Sequence, residues 1–246
     1  NLERAVQMIG STTAAGLIIG LSLQRWNALR DGPAGSCLLR LIYHSEATAV
    51  LTQKLLRKGS DENSGSARDH PETSLEWPGF AKGLFHDLGK LVLIYNYPEK
   101  AGALYSLERT SRRPEKIDPQ VVEHGVFGCG HTEVGAQAVA SLDLPGPLAA
   151  VAEHHHDDES MAEDQDLRAV RAANLLTKTM NSELAGLSAS RATLDWNTCV
   201  NDPVWSDWLD DASEPALKTL KEDFMRETIL YTRFFLDLPD VETFSD

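Results

Sequence analysis

The stretch "VAEHHHDDES", residues 151–160, sets three histidines in a row ahead of two aspartates. Imidazole nitrogen and carboxylate oxygen together are the donors of a divalent metal site. Two further segments carry the same donors. "GLFHDLGKLVL", 83–93, has His86 next to Asp87, and "GCGHTEVGA", 128–136, has His131. His44 stands in "IYHS", 42–45. If these side chains converge on an ion, they can polarise a phosphoryl oxygen and lower the pKa of a bound water. The same side chains can instead hold helices together through internal hydrogen bonds. The choice depends on whether the chain brings them to one place.

The elements that carry them read as helices. Leu38, Leu41, His44, Thr48, Leu51 and Leu55 form one stripe at three- and four-residue steps, which predicts a helix over 37–58 with His44 turned inward. A second helix is predicted over 78–95, stopping before Pro98. Its flanks around His86 and Asp87 are apolar nearly all round, so the pair is buried and needs a partner. Adjacent helical residues point about 100° apart, so both reach one ion only if it lies close to the helix. His131 opens a third helix that runs to "DLP", 143–145. A helix start disfavours imidazolium, and neutral imidazole is the metal-binding form. Pro147 suits the first turn of the next helix, where Leu148, Val151 or Ala152, and His155 share a face. That turns His155 inward and leaves His154 at the rim, with Asp157 and Asp158 solvated. A helix over 166–181 puts Asn174 on the face of Leu167, Val170 and Arg171. His70 falls in a polar loop, 60–76, and is read as solvated; Cys129 is read as a small packed thiol rather than a thiolate ligand.

The remainder sets bounds. The chain has 246 residues, 42% of them hydrophobic, which is enough for one large domain or two small ones. A formal net charge of −14 repels a phosphate backbone, so nucleic acid is not an expected partner, whereas a cation or a basic surface is attracted. Three scattered cysteines, Cys37, Cys129 and Cys199, suit a reducing compartment rather than a disulfide framework. The most apolar run, 14–23, is about half the ~20 residues needed to cross a bilayer. A soluble, cytoplasmic protein without a membrane partner is therefore expected. Towards the end, Trp196, Trp205 and Trp208 lie in an acidic, turn-rich stretch. Ser213 reads as an N-cap for a long helix over 214–238, with Leu217, Leu220, Phe224, Tyr231, Phe235 and Leu238 as its stripe. This helix is expected to pack on its own chain, a homodimer being the lesser alternative. No repeat and no persuasive run of strands is present. The expected fold is all-α, a compact helical bundle over 1–180 with a C-terminal helical extension over 181–246 packed on it.

The order His44, His86-Asp87, then later histidines resembles the HD superfamily of metal-dependent phosphohydrolases, and most closely its HDOD (HD-related output domain) branch. "FAKGLFHDLGKLVL" is similar to that branch's central motif. "FGCGHTEVGAQAVASLDLP" resembles its "G..HaeVGa.Ll..W.LP" segment with identical spacing, Leu142 standing where Trp is usual. "AEHHHDD" resembles the paired-histidine segment, and counting from Pro145 places the pair on His155 and His156. "IYHS" and "AVQMIG" resemble two further motifs, "WrHS" and "Ai..LG". The family's helices upstream of "AVQMIG" have no counterpart, so the chain is expected to start inside the domain or to have diverged there.

The resemblance implies a metal-ligand set of His44, His86, Asp87, His131, His155 and His156, with Asn174 at the place of the closing aspartate of catalytic HD enzymes. It implies a divalent ion of the Fe, Mn, Mg, Ni or Zn type, no other cofactor, and Lys90 as the phosphate-neutralising group if the site is catalytic. Asn174 is a neutral, weaker ligand, and "HHHDDESMAEDQ" lacks the Gly-Tyr-Pro signature of cyclic-dinucleotide phosphodiesterases. The function implied is a bacterial signal-transduction regulatory or adaptor domain without hydrolytic turnover. Its partner would be a signalling protein or an attached regulatory domain. The alternative is a metal-dependent phosphohydrolase acting on a nucleotide or phosphoester.

Overall fold

A computed structural model describes residues 34–63, 79–110, 119–157, 164–184, 196–209 and 215–223. Among the described residues every regular element is helical, as the periodicity predicts. In chain order these are α1 (Gly35–Asn63), α2 (Gly79–Phe85), α3 (Leu88–Asn96), α4 (Pro98–Thr110), α5 (Pro119–Phe127), α6 (His131–Ser141), α7 (Gly146–His154), α8 (Gln165–Leu184) and α9 (Trp196–Val200), then a 3-10 turn, Pro203–Asp207. Residues 215–223 are helical as well. "AVQMIG", the apolar run 14–23, His70, Ser213 and the stripe from Phe224 onward lie outside the described residues.

α1 is the central helix. Leu38, Tyr43, Ala47, Ala49, Leu51 and Leu55 are all buried along it, so it is covered on most sides rather than on one stripe. One core cluster joins Ala47, Leu51 and Leu55 of α1 to Ala169, Ala172, Ala173 and Leu176 of α8, and then to Cys199, Trp205, Trp208 and Leu217. The alanines of α8 let the two helices approach closely, and the tail closes over the outside of the pair. Trp205 is fully buried and donates its indole N–H to the Cys199 carbonyl at 2.8 Å. Arg171 fixes the same tail through Asp202 at 3.0 Å, and Arg168 pairs with Asp207.

The sequence predicts one helix over 78–95, but two are present. α2 ends at Phe85 and α3 begins at Leu88, with Asp87 as the N-cap at φ −103°, ψ 18°. Apolar residues on both sides, Leu84 and Phe85 before it and Leu88, Leu91 and Val92 after it, hide the break. Glycines on either side, Gly83 and Gly89, weaken a continuous helix locally, although the Asp87 side chain caps nothing. Packing then fixes it. A Cβ on Gly83 would lie 2.6 Å from the Ala49 Cα of α1, and one on Gly89 would lie 1.8 Å from the His131 carbonyl oxygen. The chain therefore crosses α1 and α6 backbone to backbone, with His86 and Asp87 held between the crossings. The break also removes the 100° divergence that a continuous helix would impose on the pair.

Candidate metal centre

Asp87 stands at the middle of the site, 2% exposed. Its Oδ2 lies 3.4 Å from His86 Nε2 and 3.7 Å from His44 Nε2. Its Oδ1 lies 3.4 Å from His131 Nε2 and 3.5 Å from His155 Nε2. His131 and His155 approach each other at 3.4 Å through their Nε2 atoms. The ring of His156, partly exposed, lies 4.2 Å from that of His155 and 5.2 Å from that of His131, centroid to centroid. Two groups with mutually close donors result, one of His44, His86 and Asp87, the other of Asp87, His131, His155 and His156. Thus the six donors named from the sequence meet in one place.

Three helices and two turns deliver them. His44 comes from the covered face of α1, and His86 and Asp87 from the α2–α3 break. His131 is the first residue of α6, and His155 is the C-cap of α7. His156 follows in the turn after α7, closed by the Asp157 amide donating to the His154 carbonyl at 2.8 Å.

The ring nitrogens that face away from Asp87 decide the chemistry. His86 Nδ1 sits 2.6 Å from the Gly83 carbonyl, and His155 Nδ1 sits 3.1 Å from the carbonyls of Val151 and Ala152. His131 Nδ1 sits 2.6 Å from Glu123 Oε2. Carbonyl and carboxylate oxygens only accept, so each Nδ1 carries the proton and each Nε2 offers a lone pair. Those lone pairs face the Asp87 carboxylate, which is also an acceptor. His86 Nε2, both ring nitrogens of His44 and Asp87 Oδ1 are buried without a hydrogen bond.

Protonation does not relieve this opposition. Burial, only partly countered by Asp87, lowers the His86 pKa well below the usual imidazole range and pushes His44 down to about 3. Burial and the Lys90 ammonium lower His131 as well. Burial works against the Asp87 carboxylate too, yet the Lys90 ammonium holds it well below the usual carboxylate range. The Lys90 Nζ donates to Asp87 Oδ2 at 2.9 Å. His44, His86 and His131, held neutral around a charged carboxylate, thus make an acceptor-rich cage. Donors on a tetrahedral ion at a metal–nitrogen distance of about 2.1 Å stand about 3.4 Å apart. The cage has that spacing, so the residues fit a divalent metal.

Asn174 is 5% exposed on α8, and its Oδ1 is buried without a hydrogen bond. Lys178, one turn further along α8, adds to burial in lowering the pKa of His44 and His156, so that face of α8 fronts the cluster. An ion pair of Lys82 with Asp166 ties α2 to the start of α8. Cys129 belongs to neither donor group, and His154 is half-exposed beside Asp157, in keeping with their reading as bystanders.

Sequence reasoning missed Glu123. It is 1% exposed on α5, and its Oε2 receives the backbone amide of His131 at 2.8 Å besides the ring contact. Its Oε1 accepts from the Tyr105 hydroxyl at 3.0 Å. Burial opposes its charge, but the His131 hydrogen bonds hold the Glu123 carboxyl below its ordinary value. The available signal was a lone glutamate three and four residues before Val126 and Phe127, on a segment where no helix had been predicted.

The HDOD domain family model matches residues 1–158. That is more than half of the chain, and the chain belongs to the HDOD domain family. The match ends before α8, so Asn174 lies beyond it. A curated protein of Treponema pallidum (strain Nichols), described as uncharacterized, is 26% identical over 121 residues, covering 48% of this chain and 23% of the relative. The chain thus spans less than a quarter of that relative's length in the matched region. No solved structure matches. Among the described residues no helix is long and apolar enough to cross a membrane.

Proposed function

We propose that this HDOD domain is a metal-binding regulatory or adaptor module of signal transduction, and that it does not turn over a phosphoester. The observation that carries the metal part is the opposition of Nε2 lone pairs to the Asp87 carboxylate in a buried cage. A bound divalent ion would relieve it and would supply Lewis-acid polarisation to any oxygen ligand it shared. His44, His86, Asp87, His131, His155 and His156 would hold it. Since they come from α1, the α2–α3 break, α6 and the end of α7, such an ion would also fasten four parts of the bundle to one point. Rigidity of that kind suits a scaffold whose surface is read by a partner.

Charge argues against hydrolysis. Asp87 is the one carboxylate within the two donor groups, and Asn174 supplies none. Neutral imidazoles do not offset a dication's charge. The Lys90 ammonium already spends one of its three donors, and part of its charge, on Asp87. The adaptor role follows the family and would be exercised on a signalling protein or an attached regulatory domain. The −14 net charge favours a basic docking surface on it.

The test is metal content of the purified protein with turnover measured on the same sample, using bis-p-nitrophenyl phosphate with Mn²⁺ or Fe²⁺ supplied. Bound metal without turnover is expected. Turnover that disappears in Asp87→Asn would replace this reading with the phosphohydrolase alternative. Failure to bind Zn²⁺, Mn²⁺ or Fe²⁺ would remove the metal part.

A further inference from the structure

Glu123 reaches the cage through His131 and is, among the described residues, one of the most buried carboxylates. Its Oε2 sits between the ring Nδ1 of His131 at 2.6 Å and the backbone amide of His131 at 2.8 Å. Its Oε1 is pinned by the Tyr105 hydroxyl of α4 at 3.0 Å. Both carboxylate oxygens are therefore engaged, from two helices, and the ring and the main chain of one histidine share the same oxygen. We infer that Glu123 is a positioning residue that fixes the ring and tautomer of His131, so that its Nε2 lone pair is turned on Asp87 Oδ1.

The chemistry follows from the geometry. His131 is the first residue of α6, where its amide has no partner within the helix. A carboxylate at that position satisfies the amide and lies favourably at the positive end of the helix. The second bond, to Nδ1, leaves the ring one orientation and the lone pair one direction. A carboxylate behind a ligand imidazole also raises its basicity as a donor. Among the imidazoles of the cage, His86 and His155 have their Nδ1 held by backbone carbonyls, which mutation of a side chain cannot remove. His131 alone of these three is set by a side chain, so its positioning can be tested by substitution.

The inference rests on the metal reading for its purpose but not for its geometry, and the experiment separates the two. In metal-free protein labelled with ¹⁵N-histidine, long-range ¹⁵N–¹H correlation spectra are expected to show His131 as the Nδ1–H tautomer. Glu123→Leu removes the acceptor. It should release His131 into mixed tautomers and weaken Zn²⁺ binding, measured by competition with a chromophoric chelator, by about 10–100-fold. Glu123→Gln keeps an acceptor oxygen without the charge, so it should keep the tautomer and lose only part of that affinity. It also serves as the test should Glu123→Leu fail to fold. A residue that merely fills space would change melting temperature and leave tautomer and affinity alone. His131 found as Nε2–H, or as an imidazolium bridging Glu123 and Asp87, would overturn the assignment. So would an unchanged tautomer in Glu123→Leu. An Nδ1–H tautomer in a wild type that binds no Zn²⁺ would support the positioning role and count against the metal reading alone.

Discussion

The two oxygens of Asp87 meet unlike surroundings. Oδ2 faces two imidazoles, His86 at 3.4 Å and His44 at 3.7 Å, and already holds the Lys90 ammonium at 2.9 Å. Oδ1 faces His131 at 3.4 Å and His155 at 3.5 Å, with His156 completing the group. The Oδ2 side is therefore poorer in donors and partly neutralised, and the Oδ1 side is richer in donors. A dication placed about 4 Å from an ammonium is opposed by several kcal/mol at an effective dielectric constant of about 20. A first divalent ion should accordingly settle on the Oδ1 side, and a second should bind only if Lys90 moves.

Substitution of the shared carboxylate removes both sides at once and has the largest expected effect. Asp87→Asn takes the charge from each donor group while keeping the shape. Zn²⁺ affinity should fall by more than the ~100-fold that loss of an outer partner costs. Calorimetric titration that found one tight Zn²⁺ equivalent surviving would show that Asp87 does not join the two groups. Next comes the contrast itself. His131→Ala should weaken the first equivalent by about 100-fold, and His44→Ala by about tenfold or less, on the scale set by metal-ligand shells. Equal losses would abolish the distinction between the sides.

Acid should expose the cage without any metal. Burial lowers the His44 pKa from 6.5 to about 3, and His86, His131 and Asp87 are lowered as well. The unfolded chain then binds protons that the native cage refuses, and stability rises with pH wherever the unfolded state holds more protons. Stability from His44 is thus fully present above about pH 6.5 and is lost as pH falls towards 3. Each such histidine changes the unfolding constant by up to about tenfold per pH unit in that window. Denaturant titrations of metal-free protein at pH 7, 6, 5 and 4 check the slope. His44→Gln should flatten it, and an unflattened slope would mean that His44 titrates freely.

Much of this site was legible in sequence, for a physical reason. His44 and His155 sit at positions where helical periodicity points a side chain inward, His131 was read from its place at a helix start, and all three are buried. The α2–α3 break was not legible, because apolar residues flank His86 and Asp87 on both sides and continue the helical pattern across them. His156 was placed by family spacing and not by periodicity. α7 ends at His154, so a turn rather than a helix carries His156 to the cluster. Glu123 escaped because its burial depends on α4 and α6 packing around it, which no local pattern records. The tail was legible in its tryptophans, since Trp205 and Trp208 are core residues, but its stripe from Phe224 onward lies outside the described residues.

Lys90 offers a gentler way to alter the contrast. Lys90→Met removes the ammonium from Oδ2 and keeps the apolar stem. The Oδ2 group should then accept Zn²⁺ at least 100-fold more tightly, on the order of 3 kcal/mol, raising the measured stoichiometry from one towards two, while the first equivalent changes little. Stoichiometry unchanged at one would show that donor number, not Lys90, limits that side.

The smallest expected effect is that of Asn174→Asp, and its sign is the informative part. Asn174 Oδ1 is buried and unpaired on the α8 face that also carries Lys178. If its side chain faces the cluster, a carboxylate there would join Asp87 in a confined, acceptor-rich cage. Without metal, burial and the neighbouring negative charge both oppose its ionisation, so the apoprotein should melt at a lower temperature than wild type. With Zn²⁺ present the same charge becomes an attraction, and affinity should rise several-fold, on the order of 1 kcal/mol. Since a ligand stabilises in proportion to the logarithm of its concentration over Kd, the Zn²⁺-induced rise in melting temperature should be larger in the variant. The two shifts are opposite in sign, which a general loss of packing cannot produce. Scanning calorimetry of both proteins, with and without Zn²⁺, reads them together. Equal Zn²⁺ affinities would mean that Asn174 does not face the ion, and its neutral side chain would no longer explain an inactive site.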